Sequence, residues 1–486
     1  MTEEKENEGY STDPNNSAFK EYQDYKETPE DNDGENRNVP ESEKASVFST
    51  SMTILKSMIG CGILSHPYIF KNLGIYYGTI TLILSVYISI CSISLLMRSK
   101  DVTQRYSYSI YSKLVLGKKG YLIIKIAIIF TMFLLCIIYL KIFANVFKTL
   151  ILLFFKDNGK FYFKENFFLI IIAIILLPLM FKKDISALRK FAFIGVISVL
   201  IFIFSVILAF FIKFKNNEIK NIITSDMLYP KGNYAQFFAS FSAIINSLSF
   251  HQNCFPIYLQ IKERNSNKMI KATFFAAIVT GIIYWIIAIL GYSMYGNVIN
   301  DVLITYFYND IQINLNKNKI ISIILIISEI TFFLQASFTL PLLFFPLKSS
   351  LFNLILANNK DIKKENINPI KLEDTNNLSS NLVKKNNNEE NENKNDDNNN
   401  IFKKNIIIII TYCCILIFAI FFEKILMVEN IVGSTANNIL IFLAPALFVI
   451  KLDKTNRINC SKINARLMLL IGIILLMAFF YFQIFH

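Results

Sequence analysis

Residues 52–68 read Met52-Thr53-Ile54-Leu55-Lys56-Ser57-Met58-Ile59-Gly60-Cys61-Gly62-Ile63-Leu64-Ser65-His66-Pro67-Tyr68. The stretch is apolar enough for a bilayer, yet it carries two glycines one residue apart and then a proline, residues that weaken a helix in mid-span. Hydrocarbon offers the backbone no water, so an unwound turn survives there only where it lines an interior cavity. Unwinding at 60–62 frees peptide N–H and C=O groups. The half-helix that begins there presents partial positive charge to a carboxylate. Close helix packing at Gly60 and Gly62 accounts for the same residues, so this stretch alone leaves both readings open.

A second stretch tips the balance. Residues 246–258 read Asn246-Ser247-Leu248-Ser249-Phe250-His251-Gln252-Asn253-Cys254-Phe255-Pro256-Ile257-Tyr258, a polar run inside an apolar segment. Such a run is expensive in lipid and faces an interior or a cavity. It lies about 12 residues into its span, the offset of Gly60 in the first, and the two proline–tyrosine pairs also fall at similar offsets. Paired interrupted helices, one in each half of the chain, predict inverted five-helix repeats around a mid-membrane site. No glycine interrupts the second stretch.

Working outward, hydrophobic residues make up 53% of the chain and charged residues 17%. A hydrocarbon core of about 30 Å takes about 20 apolar residues as helix. Runs such as 120–155, 191–212 and 406–422 have no polar face to offer water. Eleven spans are expected, near 47–70, 74–97, 121–150, 167–181, 191–212, 234–258, 272–295, 320–346, 405–424, 432–450 and 465–485. The domain reading follows: 1–46 a disordered cytoplasmic tail, 47–346 helices one to eight, 347–404 an Asn/Lys/Glu-rich cytoplasmic loop, 405–486 helices nine to eleven. Alternate loops are rich in lysine and arginine, among them Arg98, Lys100, Lys262, Arg264, Lys451 and Arg466. The positive-inside rule therefore puts the N-terminus in the cytoplasm and the C-terminus on the other side. Lys213, Lys215, Lys220 and Lys231 oppose that bias.

The net charge of +13 is loop-borne and suits anionic headgroups, so the expected partner surface is the lipid bilayer and not nucleic acid. Six of the seven cysteines lie in or beside apolar segments, which favours free thiols over disulfides, and three scattered histidines make no metal cluster. No cleavable leader is expected, since the first 46 residues lack a basic start followed by an apolar run. Motifs of hydrolases and metalloproteases are missing, so a membrane enzyme is not expected.

Several strings resemble the amino acid/auxin permease family, closest to its neutral amino-acid transporter branch. Gly60-Cys61-Gly62-Ile63-Leu64 with Pro67-Tyr68 looks like its opening motif. Phe250-His251 followed by Pro256-Ile257-Tyr258, Lys262 and Arg264 is similar to its sixth-helix motif. Gly291 to Gly296, Thr339-Leu340-Pro341 with Phe345 to Ser350, and Gly433-Ser434-Thr435 with Pro445 resemble three later ones. The resemblance implies an all-α, leucine-transporter-like fold of two five-helix repeats plus one helix. It also implies amino-acid substrates driven by Na⁺ or H⁺. By that implication Gly60, Cys61 and Gly62 face the α-amino and α-carboxyl groups, and Ser337 and Thr339 help hold a cation. Lys56 stands where the sodium-coupled branch commonly has asparagine and a proton-coupled branch has lysine. Gln252, in place of proline, and Leu259-Gln260, in place of an acidic pair, also depart from the pattern.

The residues add their own expectations. An ammonium at Lys56 supplies the charge a bound Na⁺ would supply and repels one, which favours H⁺-coupled or uncoupled transport; snorkelling to an interface is the other reading. Glu329 is a candidate proton carrier, with structural pairing as the alternative, and His251 a candidate titrating group or a structural one. Asn246, Ser249, Asn145 and Tyr139 are candidate substrate contacts. The expectation is a secondary carrier for amino acids working by alternating access, with no cofactor beyond a coupling ion. A Na⁺-coupled symporter and a transporter-like nutrient sensor acting through a cytosolic partner stay open. The membrane is the plasma membrane or that of an acidic internal compartment.

Overall fold

Helix α1 (Val47–Met58) stops just before the glycine pair, and residues 59–61 are not helical. Its start is capped by Ser46, whose side chain accepts the Ser49 N–H. The chain is helical again from Gly62, in α2 (Gly62–Thr103), which bends sharply at Gly74 where φ is 73°. A Cβ on Gly74 would lie 2.4 Å from the Tyr229 carbonyl carbon, so both the positive φ and the close approach require glycine. The described residues of this computed structural model are 44–103, 106–153, 165–181, 185–219, 223–299, 302–365, 402–422, 425–452 and 459–485.

Next come α3 (Tyr108–Leu152), with a corner at Gly117, the 16-residue α4 (Glu165–Met180) and α5 (Ile185–Lys215). The second half breaks as the first does. Helix α6 (Tyr234–Ser247) opens on a capping box between Asn233 and Gln236, then residues 248–250 leave the helix. A short turn, His251–Asn253, leads into α7 (Cys254–Tyr258). Helices α8 (Ser266–Tyr295), α9 (Phe307–Lys317), α10 (Lys319–Glu365), α11 (Phe402–Phe421) and α12 (Ile425–Ser434) follow. After Thr435, a turn of helix (Ala436–Asn438) and a π-helical stretch (Ile439–Leu443) precede α13 (Ala444–Leu452) and α14 (Asn459–Phe485).

Among the described residues eight helical stretches are long and apolar enough to cross a bilayer, with Ile425–Leu452 (α12 to α13) counted as one. The expected spans differ from them in instructive ways. The second half of 47–70 and the span 74–97 form one element, because a glycine corner replaces a loop. The boundary expected at 346/347 falls inside α10, which runs on to Glu365. Lys348 does not end the helix, since its stem is buried and its ammonium donates to the Met180 carbonyl at 2.9 Å. The span expected at 432–450 begins earlier, at Ile425. The amphipathic α9 was not expected at all. Residues 1–43 and 366–401, read as tail and loop, lie outside the described residues.

Packing is most extensive where α8 lies along α1 and α2, where α10 lies along α5 and α3, and where α2 meets α6. Large apolar side chains such as Ile83, Ile174, Phe204, Ile323 and Ile410 face outward, as lipid requires. Charges at the two ends are tied. At one end the buried Lys100 bonds Asp101 at 2.6 Å and the Tyr258 hydroxyl at 2.9 Å, and Ser266 donates to Asp101 at 2.7 Å. There too Ala45, just ahead of α1, pairs with the loop after α7: its N–H donates to the Gln260 carbonyl and its carbonyl accepts from Lys262. At the opposite end Lys213 of α5 meets Asp310 of α9 at 2.5 Å, and the Tyr295 hydroxyl donates to the same carboxylate at 2.6 Å.

The Lys213–Asp310 pair is largely buried, with side chains 6% and 15% exposed. Removing one partner strands the other, so Asp310→Ala is expected to cost about 3–5 kcal/mol, and replacing both with apolar residues to cost less. Thermal unfolding in detergent measures both; a single variant as stable as the double would contradict the pairing.

Candidate functional site

The first break is lined by side chains from other helices. The Tyr284 hydroxyl of α8 donates to the Met58 carbonyl at 2.7 Å, taking up an acceptor at the open end of α1. His66 Nδ1 lies 2.5 Å from the Gly62 carbonyl, so that nitrogen carries the proton and donates. The rings of His66 and Tyr284 sit 4.1 Å apart, and Ser247 Oγ lies 3.5 Å from His66 Nε2. A Cβ on Gly60 would come 2.8 Å from the Tyr139 hydroxyl oxygen, and a Cβ on Gly62 would come 2.8 Å from Ser247 Cβ. Bare peptide groups and the hydroxyls of Tyr139 and Tyr284 therefore meet at one place in the middle of the bundle.

The second break is held by a separate polar network. Ser89 of α2 donates to the Leu248 carbonyl at 3.0 Å. Ser249 donates to Asn437 Oδ1 at 3.2 Å, and Asn437 Nδ2 donates to Asn246 Oδ1 at 2.6 Å. Buried His251 spans the cluster, with Nδ1 at 3.1 Å from Ser249 Oγ and Nε2 at 2.7 Å from Ser92 Oγ. Asn437 belongs to a third irregular stretch, where Thr435 leaves helical geometry (φ −110°, ψ −91°). Gly433 permits that contact, since a Cβ there would strike the Ser242 carbonyl oxygen at 2.5 Å.

The structure thus brings Gly60, Cys61 and Gly62 together with Tyr139 and Ser247, while Asn246 and Ser249 sit in the network just beyond. Asn145 is half-buried and about 9 Å further along α3 than Tyr139; no described contact joins it to either break. Lys56 lies in the last turn of α1, where its charge suits the helix end, and its buried Nζ points at Gly195 of α5 with no hydrogen-bond partner among the described residues. Ser337 and Thr339 donate back to their own helix, to Phe333 and Gln335 carbonyls at 2.7 and 2.8 Å. Glu329 is fully buried on α10.

Sequence reasoning missed Glu429. It is buried on α12 within interaction range of the Cys61 thiol and the Tyr284 hydroxyl. The expected tenth span began at 432, which left Glu429 in a loop; a helix start at Ile425 puts it in the bundle. Tyr284 and Asn437 were missed because each reads as an ordinary member of a span.

The family model "Transmembrane amino acid transporter protein" matches residues 43–485. Amino acid transporter AVT6C of Arabidopsis thaliana is 24% identical over 342 residues, covering 67% of this chain and 75% of the relative. Vacuolar amino acid transporter 7 of Saccharomyces cerevisiae is 23% identical over 316 residues, covering 64% of this chain and 60% of the relative. Among solved structures, MhsT in complex with L-phenylalanine superposes with a TM-score of 0.50 at 11% identity, covering 89% of this chain and 99% of that one. That likeness shows the fold, an all-helical one of leucine-transporter type. The chain belongs to the transmembrane amino acid transporter family.

Proposed function

We propose that this protein is a secondary carrier that moves amino acids across a membrane by alternating access, coupled to H⁺ or uncoupled. One observation carries the reading: the spans holding residues 59–61 and 248–250 both lose helical order, and hydroxyls of neighbouring helices converge where the first is open. The N–H groups of residues 60–62, which face side chains rather than a helical ladder, and the start of α2 suit the substrate carboxylate. The carbonyls at the end of α1, with Glu429 beside them, suit its ammonium. Lys56 supports proton over sodium coupling, because a fixed cation beside the break competes with a metal cation. In this reading the chain crosses the bilayer eleven times, with the end that carries Lys100 and Lys262 in the cytoplasm.

Radiolabelled amino-acid uptake into proteoliposomes tests the reading, with Na⁺ and pH gradients imposed separately. Accumulation is expected under a pH gradient without Na⁺; a strict Na⁺ requirement with no response to pH would refute the coupling. Failure to move any amino acid would refute the carrier.

Two variants probe the site. Gly62→Leu drives a side chain into Ser247 and is expected to cut uptake about a hundredfold or more while the protein still purifies as a folded species. Tyr139→Phe removes only a hydroxyl and is expected to weaken apparent affinity about tenfold. Unchanged KM in the phenylalanine variant would remove Tyr139 from the site.

A further inference from the structure

Glu329 lies ten residues into α10, about 15 Å from its start and so near the middle of a hydrocarbon core of about 30 Å. Its side chain is 0% exposed, and neither carboxyl oxygen has a hydrogen-bond partner among the described residues. The surroundings on its face of the helix are aromatic. One turn on, Phe332 packs against Phe202 of α5 at 5.2 Å between ring centroids, and Phe333 packs against Phe143 of α3 at 4.4 Å. An ionised carboxylate in such a seam is far costlier than the neutral acid.

Several of the charged and titratable groups on the helices packed around it are engaged elsewhere. On α5, Lys213 is held by Asp310 of α9. On α3, Lys141 donates to the Phe422 carbonyl and lies 3.7 Å from Glu165 of α4, while Tyr139 sits at Gly60. From α8, Tyr295 lies within electrostatic reach of Glu329, and its hydroxyl is bonded to Asp310. Among the described residues no ion pair holds Glu329. A group that must be neutral here and acquires partners only if the helices move has the properties of a proton carrier.

We infer that Glu329 is the carboxyl that carries the coupled proton, loading through the Tyr295–Asp310 end of the bundle. This rests on the carrier reading above. One proton bonds to a carboxylate oxygen on one side and leaves the same oxygen for water on the other; no other bond changes.

The test uses the full chain in proteoliposomes, with Glu329→Gln and Glu329→Asp beside wild type. Two quantities are read: accumulation driven by a pH gradient, and exchange of labelled for unlabelled amino acid at equal pH on both sides. Glu329→Gln mimics the permanently protonated acid, so accumulation should fall to background while exchange persists and loses its pH dependence. Glu329→Asp should keep accumulation at a lower rate. Accumulation by Glu329→Gln, or loss of accumulation and exchange alike in both variants, would overturn the inference. Wild type that exchanges but never responds to a pH gradient overturns it while leaving the carrier intact. Wild type that does neither sinks both.

Discussion

Everything in this molecule turns on peptide groups that lack both water and a helical partner. Where α1 ends and α2 begins, where α6 ends, and again at Thr435, the chain leaves its ladder inside an apolar bundle. An orphan carbonyl in such a medium costs several kcal/mol, and several here are met by side chains. Tyr284 serves Met58, His66 serves Gly62 and Ser89 serves Leu248. Tyr108 and Ser92 serve Leu440 and Ile441 in the π-helical stretch, at 2.7 and 2.6 Å. These donors come from α2, α3 and α8, so the positions of those helices and the survival of the breaks depend on each other.

The distribution of charge follows from the same constraint. Long-range pairs close both ends of the bundle, and two of the lysines that opposed the positive-inside bias find partners there. Lys213 is bound by Asp310, and Lys231 lies 3.9 Å from Asp226 and 3.1 Å from Asn297.

Both breaks were legible in the sequence because glycine, proline and polar residues are costly in a span and therefore informative. Residues 59–61 and 248–250 lie where those costs concentrate. Helix boundaries were less legible. Lys348 looked like a terminus but buries its stem, and Glu429 looked like a loop residue but sits in a helix. Tyr284 was invisible for a different reason: an aromatic residue in an apolar run carries no sign that its hydroxyl ends at another helix's carbonyl. Hydropathy reports the cost of a residue, not its neighbour in space.

The pairing of Ala45 with the loop after α7 has a mechanical meaning. Any tilt of the first half-helix away from the seventh must break a pair of backbone hydrogen bonds, of 2.7 and 3.0 Å. At about 1 kcal/mol each for a pair that water can replace, the clasp weights two arrangements against one another by a factor of about thirty. That is strong enough to bias the resting geometry and weak enough for thermal motion to undo, the behaviour of a spring catch.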